Sequence, residues 1–152
     1  MELLSIKMPD IMDWNYCERN FIKKVEIDEE RIKSIIEKSM KRLKRARKTK
    51  IDEENADFIV EDYYEVIKEL LVAYLLKNGL RAGNHQCLIS YFQRQHPEYE
   101  REAVLMVQMS YFRNRWDYYG ESIPLSFYKQ HREDFLRLIA ILEKLLEYTK
   151  RN

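Results

Sequence analysis

Glycine, proline and cysteine are all scarce in this chain of 152 residues: three, three and two respectively. So few turn-forming residues exclude a many-stranded β architecture and a Pro/Gly-rich disordered chain. No stretch approaches the roughly 18 to 20 consecutive apolar residues that a membrane-spanning helix needs. There is also no excess charge of one sign. With 27 basic against 26 acidic residues the net charge is +1, so nothing in the overall balance demands a nucleic acid or a membrane as partner, and electrostatic binding has to come from local clusters. Cys17 and Cys87 lie far apart and form no paired-thiol motif, which predicts no disulfide framework and a reducing compartment. The first residues lack a basic start followed by an apolar run. The expectation is a soluble, cytoplasmic protein.

What the chain does contain is 45% hydrophobic and 35% charged residues, the mixture of amphipathic helices. An all-α single domain follows, an antiparallel bundle of about five helices with no β-strand required. Residues 1–26 have no clear period but carry Leu3, Leu4, Ile6, Met8, Ile11, Met12, Trp14, Tyr16, Phe21 and Ile22, and read as an extension packed on a helical domain of residues 27–152. Helix one spans about 28–49, with acid at its start and Ile32, Ile35, Ile36, Met40 and Leu43 as its stripe. Asp52 is placed to cap helix two, in which Phe58, Ile59, Tyr63, Val66, Ile67, Leu70, Leu71, Tyr74 and Leu75 recur to about Asn78. Its tyrosines Tyr63, Tyr64 and Tyr74 read as packing rather than a cofactor box. A turn over Gly79-Leu80-Arg81-Ala82-Gly83-Asn84 leads to a short helix from His85 to Gln95. Helix four runs from about Glu98 to Tyr118 or Tyr119, with Val104, Leu105, Val107, Met109 and Phe112 apolar, and Gly120 stops it. Helix five covers about 126–148.

Three local features could carry chemistry. The basic run Lys41 to Lys50 follows the acidic front of its helix, the order that the helix macrodipole favours, and reads first as a solvated face. His85, Cys87 and His96 match no metal-site spacing, so neither a metal nor a cofactor is predicted; His85, near a helix start, is expected to make a local hydrogen bond. The third is Arg113-Asn114-Arg115-Trp116-Asp117-Tyr118-Tyr119-Gly120. Arginine offers a planar charged fork for phosphate, Asn114 and Asp117 are directional polar groups, and the rings can stack on a base. At helical spacing Arg113 shares a face with Asp117, and Asn114 with Tyr118. An Arg113–Asp117 ion pair is therefore weighed equally with phosphate binding.

The helix order, the turn Gly79 to His85, the stretch Glu61-Asp62-Tyr63-Tyr64-Glu65-Val66-Ile67-Lys68-Glu69-Leu70-Leu71, and Arg113-Asn114 leading to Asp117-Tyr118-Tyr119-Gly120 resemble the HEPN superfamily, in an uncharacterised archaeal-type branch. The resemblance covers most of residues 22–148 and implies a helical bundle. It also implies a metal-independent ribonuclease built on an arginine, an adjacent polar residue, and a histidine four to six residues beyond, paired across a homodimer. Arg113 and Asn114 match that motif, but the positions open to histidine hold Tyr118, Tyr119 and Gly120. Histidine can take and return a proton near neutral pH, whereas tyrosine, with a reference pKa of about 10, is a poor base there. The candidate catalytic set is accordingly Arg113, Asn114 and Tyr118, with RNA or nucleotide contacts from Arg113, Arg115, Asp117 and Tyr119 and cleavage expected to be absent or slow. The same resemblance offers a partner of another class, a minimal nucleotidyltransferase in a toxin–antitoxin-like pair. In such relatives a tyrosine two positions past the histidine is modified, and that position here is Gly120. A purely structural dimer is the third reading, since helices two, four and five carry more large apolar side chains than a small bundle must bury.

Overall fold

The computed structural model describes residues 9–147. The expected end of the last helix at 148, and Leu3, Leu4, Ile6 and Met8, lie outside them. Six helices and one short ribbon follow in order: α1 Trp14–Asn20, β1 Ile22–Lys24, α2 Glu29–Lys48, α3 Ala56–Lys77, β2 Leu80–Ala82, α4 His85–Gln95, a 3-10 turn Pro97–Tyr99, α5 Glu100–Tyr119 and α6 Leu125–Leu146. The all-α bundle is as expected. Its helix count is six rather than five because the N-terminal extension itself contains α1.

Local chemistry sets most boundaries. Asp13 and Asp28 accept from the backbone N–H groups of Tyr16 and Arg31, each at 3.1 Å, and so cap α1 and α2. Asn84 does the same for α4, accepting from the Gln86 N–H at 2.8 Å. The local hydrogen bond expected of His85 is thus made by the residue before it. Asp52 does not cap α3. Its carboxylate accepts from the N–H groups of Glu54 and Asn55, both at 2.9 Å, which builds a turn that delays the helix to Ala56. Gly120 ends α5 in the left-handed region at φ +66°, where its missing Cβ removes the steric penalty.

The core is arranged around α3, which packs most extensively on α2 and α6 and also meets α4 and α5. Ile59, Val60, Tyr63, Val66, Ile67, Leu70, Leu71 and Leu75 of α3 are all buried. Tyr63, Tyr64 and Tyr74 are buried as expected; Tyr63 packs against Phe135 and Tyr128, and burial pushes its hydroxyl pKa up to about 12. The apolar surplus that suggested a dimer is largely absorbed here, because a central helix buries side chains on all sides. Two positions assigned to apolar stripes do not follow: Phe58 is 59% exposed and Val104 43% exposed.

Two further expectations are corrected. The segment at residues 80–82, expected to be a turn, forms strand β2, which pairs antiparallel with β1 in the register Ile22–Ala82, Lys23–Arg81 and Lys24–Leu80. In addition, Cys17 and Cys87 form a disulfide, with Cα atoms 5.6 Å apart and both residues fully buried. The ribbon explains the bond. It is extended by the Gly83 N–H donating to the Phe21 carbonyl at 2.8 Å, and five residues further out on each side of the Ile22–Ala82 pair lie Cys17 and Cys87. Linear separation concealed this proximity.

Candidate functional site at the end of helix α5

The stretch Arg113 to Tyr119 occupies the last two turns of α5, and helical rotation splits it into two faces. Arg113 and Asp117 face α3. The Arg113 Nε lies 3.1 Å from an Asp117 carboxylate oxygen and 3.7 Å from Glu61, while its Nη2 donates to Glu65 at 3.3 Å. A long contact of 3.5 Å from Nη1 reaches the Asn114 side-chain oxygen, and the guanidinium sits 5.7 Å from the centre of the Tyr64 ring. Glu65 also receives Lys68 at 2.9 Å.

Three carboxylates therefore surround one half-buried arginine, and one of the three is shared with a lysine. Burial, and after it the neighbouring Asp117 charge, raises the Glu61 pKa above the ordinary carboxylate value against the opposing pull of Arg113. An incoming phosphate would have to displace these anions. The Arg113–Asp117 ion pair, one of the two readings open from sequence, is present, and it belongs to a larger network.

The other face is differently built. Arg115 donates to both oxygens of Glu121, from Nε at 2.9 Å and from Nη2, and its guanidinium lies 4.4 Å from the centre of the Tyr119 ring. Tyr118 and Tyr119 are 75% and 68% exposed. Next to them Trp116 meets Phe58 edge to face, with ring centres 4.9 Å apart. A half-exposed cation, two exposed phenol rings and an exposed Phe58 thus share one end of the bundle. The structure brings Arg115 together with Tyr119, and Arg113 with Asp117, but it does not gather all the candidate residues round one point.

No known protein family matches the chain, and neither does any curated protein or solved structure. The assignment of chemistry therefore rests on these residues.

The histidines do not fill the gap at Tyr118. The His96 Nε2 pairs with the Tyr74 hydroxyl at 3.0 Å and its Nδ1 with Glu98 at 3.4 Å. His131 pairs with Asp134 at 3.2 Å on α6. His85 stands at the start of α4, where burial first, and then the charges of Lys68 and Arg113, lower its pKa. Among the described residues no histidine hydrogen-bonds Arg113, Asn114 or Tyr118, and no three His, Cys, Asp or Glu side chains form a metal-binding group. In the basic run, Arg42 and Arg45 both reach Asp62 of α3 at 3.1 Å, so part of that run ties two helices together.

Glu61, Glu65 and Lys68 were not singled out from sequence as site residues. A signal for them existed. Charged residues interrupt the most hydrophobic helix of the chain at spacings of three and four, and such residues need partners when the helix is central.

Proposed function

We propose that this chain is a HEPN-like helical protein that binds RNA or a nucleotide at the C-terminal end of α5, with cleavage absent or slow. The observation that carries this reading is the exposed platform of Tyr118 and Tyr119 with Arg115 lying over one ring. Rings stack on bases of any sequence while a guanidinium neutralises the backbone, which is the usual chemistry of single-strand binding. Arg113 enters this reading as the residue that fixes the end of α5 against α3, rather than as a phosphate ligand. Asn114 remains the motif's polar residue, and Tyr118 can donate a hydrogen bond to phosphate but replaces no general base.

A short single-stranded RNA titrated at fixed, low salt tests the platform. The Tyr118→Ala/Tyr119→Ala variant is expected to bind about tenfold or more weakly than the parent, with the melting temperature unchanged. Equal affinities would remove this site. Incubation of the same RNA in chelator, with products sought that Tyr118→Phe abolishes, decides whether any cleavage occurs.

The reading includes a homodimer, centred on the exposed Phe58, which packs on the half-buried Trp116 beside the platform, so that two platforms lie close together. Light scattering at micromolar concentration is expected to give a dimer for the parent and a monomer for Phe58→Glu, because a charge in an apolar contact is costly to desolvate. A parent that runs as a clean monomer rules this out. The location proposed is the cytoplasm. The Cys17–Cys87 bond removes the sequence argument for a reducing compartment, so the location is proposed for a cell interior in which protein disulfides persist. The second reading, a partner for a nucleotidyltransferase, would use Tyr118 or Tyr119 as acceptor, and intact mass of protein from its native host without an added nucleotide counts against it.

A further inference from the structure

The face of α5 turned away from α3 borders a cavity of about 500 Å³, between α5, the start of α4 and the segment 9–12. Val107, Ser110, Tyr111 and Asn114 recur at three- and four-residue spacing along this wall, and Arg115 stands at its end. Ile11 and Met12 form the opposite wall. They are held there through α1, which the buried Cys17–Cys87 bond ties to α4, with the Cys87 sulfur 3.6 Å from the Met12 sulfur. The role of this part of the N-terminal extension follows from that position: it completes a cavity that α4 and α5 alone would leave open.

The polar groups in the cavity are complementary in kind. The Gln86 amide nitrogen donates to the Ser110 hydroxyl at 2.8 Å, and among the described residues its carbonyl oxygen accepts no hydrogen bond, so it is available as an acceptor. The Asn114 oxygen has a long contact of 3.5 Å with Arg113 Nη1, and among the described residues its NH₂ group has no acceptor, so it is available as a donor. One acceptor and one donor on neighbouring helices are the two kinds of group that pair with a nucleobase carrying an amino group beside a ring nitrogen. Tyr111, Val107, Ile11 and Met12 supply flat and apolar surface for the base. Asp10 can accept from ribose hydroxyls. Glu121 holds one edge of Arg115, through Nε and Nη2, so the opposite edge keeps its donors for a phosphate. The volume lies in the range of small-ligand sites.

We propose that this cavity binds a nucleoside monophosphate whose base bears an amino group, with Gln86 and Asn114 reading the base and Arg115 holding the phosphate. The proposal rests on the reading that the end of α5 serves a nucleotide or RNA, and it adds a pocket that adjoins the exposed Tyr118–Tyr119 platform and shares Arg115 with it. In RNA the same pocket would take one terminal nucleotide.

Titration calorimetry with adenosine 5′-monophosphate, adenosine and inorganic phosphate tests it on the intact, oxidised chain. The expected order is monophosphate tighter than adenosine, with phosphate alone not competing. Asn114→Leu and Gln86→Leu are each expected to weaken the monophosphate about tenfold, and Ile11→Trp, which fills the cavity from its outer wall, to abolish binding. Arg115→Gln should erase the preference for the monophosphate over adenosine. Unchanged binding in both Asn114→Leu and Ile11→Trp, or phosphate competing as well as the nucleotide, overturns the proposal. Absent monophosphate binding together with RNA binding that depends on Tyr118 and Tyr119 overturns the pocket and leaves the platform standing; absence of both removes both.

Discussion

Replacing Cys17 and Cys87 with serine is expected to lower stability by about 4 kcal/mol, the loop-closure entropy released when a cross-link spanning about 70 residues is removed. For a domain of this size that corresponds to a fall in melting temperature of roughly 8–16 °C. The measurement is a pair of thermal melts, parent and variant, in the absence of reductant. Both cysteines are fully buried, so a mild reductant should act slowly on the folded parent and quickly once the protein is warmed toward its transition. A variant that melts with the parent would mean that the β1–β2 ribbon and the packing of α1 hold the N-terminal segment without covalent help.

The second large effect is expected at Arg113. Arg113→Ala leaves Glu61, Glu65 and Asp117 facing one another with only Lys68 to compensate. Breaking a fully buried ion pair from one side costs about 3–5 kcal/mol, and the partial exposure of this cluster reduces that to about 2–3 kcal/mol. Glu61→Gln should behave in the opposite way. The Glu61 pKa is raised in the folded protein, so between the unfolded value near 4.3 and the higher folded value the folded state holds a proton that the unfolded state has lost. Stability from this group is full below the lower value and declines as pH rises through the window. The glutamine variant should therefore match the parent below about pH 4 and melt higher at neutral pH. Combining the two substitutions should recover part of the Arg113→Ala loss. If Arg113 served a ligand and nothing else, Arg113→Ala would keep its melting temperature and lose only RNA binding.

Periodicity made the helices legible. The outer helices α2 and α6 expose enough of their surface for a stripe to show, the central α3 is marked by its density of apolar residues, and the stops at Gly79 and Gly120 are signalled by the residue type itself. The ribbon was not legible, because three-residue strands such as Ile22–Lys24 are too short for an alternation to emerge, and with the ribbon went the only clue to the disulfide. At the site, the sequence displayed which side chains are available but not their rotation about α5. Arg113 and Arg115 look equivalent in a row of letters. Two positions on a helix differ by about 200°, and that rotation sends one arginine into an acidic network and the other to an open ring. The outward turn of Phe58 has the same origin: a hydrophobic period identifies a stripe, not its edge.

The two tryptophans give the molecule built-in reporters of its two regions. Trp14 lies in α1, three residues before Cys17, with its ring centre 5.3 Å from that of Tyr91 on α4. Trp116 lies at the end of α5 against Phe58. Fluorescence from a variant that retains Trp14 alone would follow the attachment of the N-terminal strap, and from one that retains Trp116 alone the state of the exposed aromatic end. One chain thus carries separate optical signals for its covalent tether and for its exposed aromatic end.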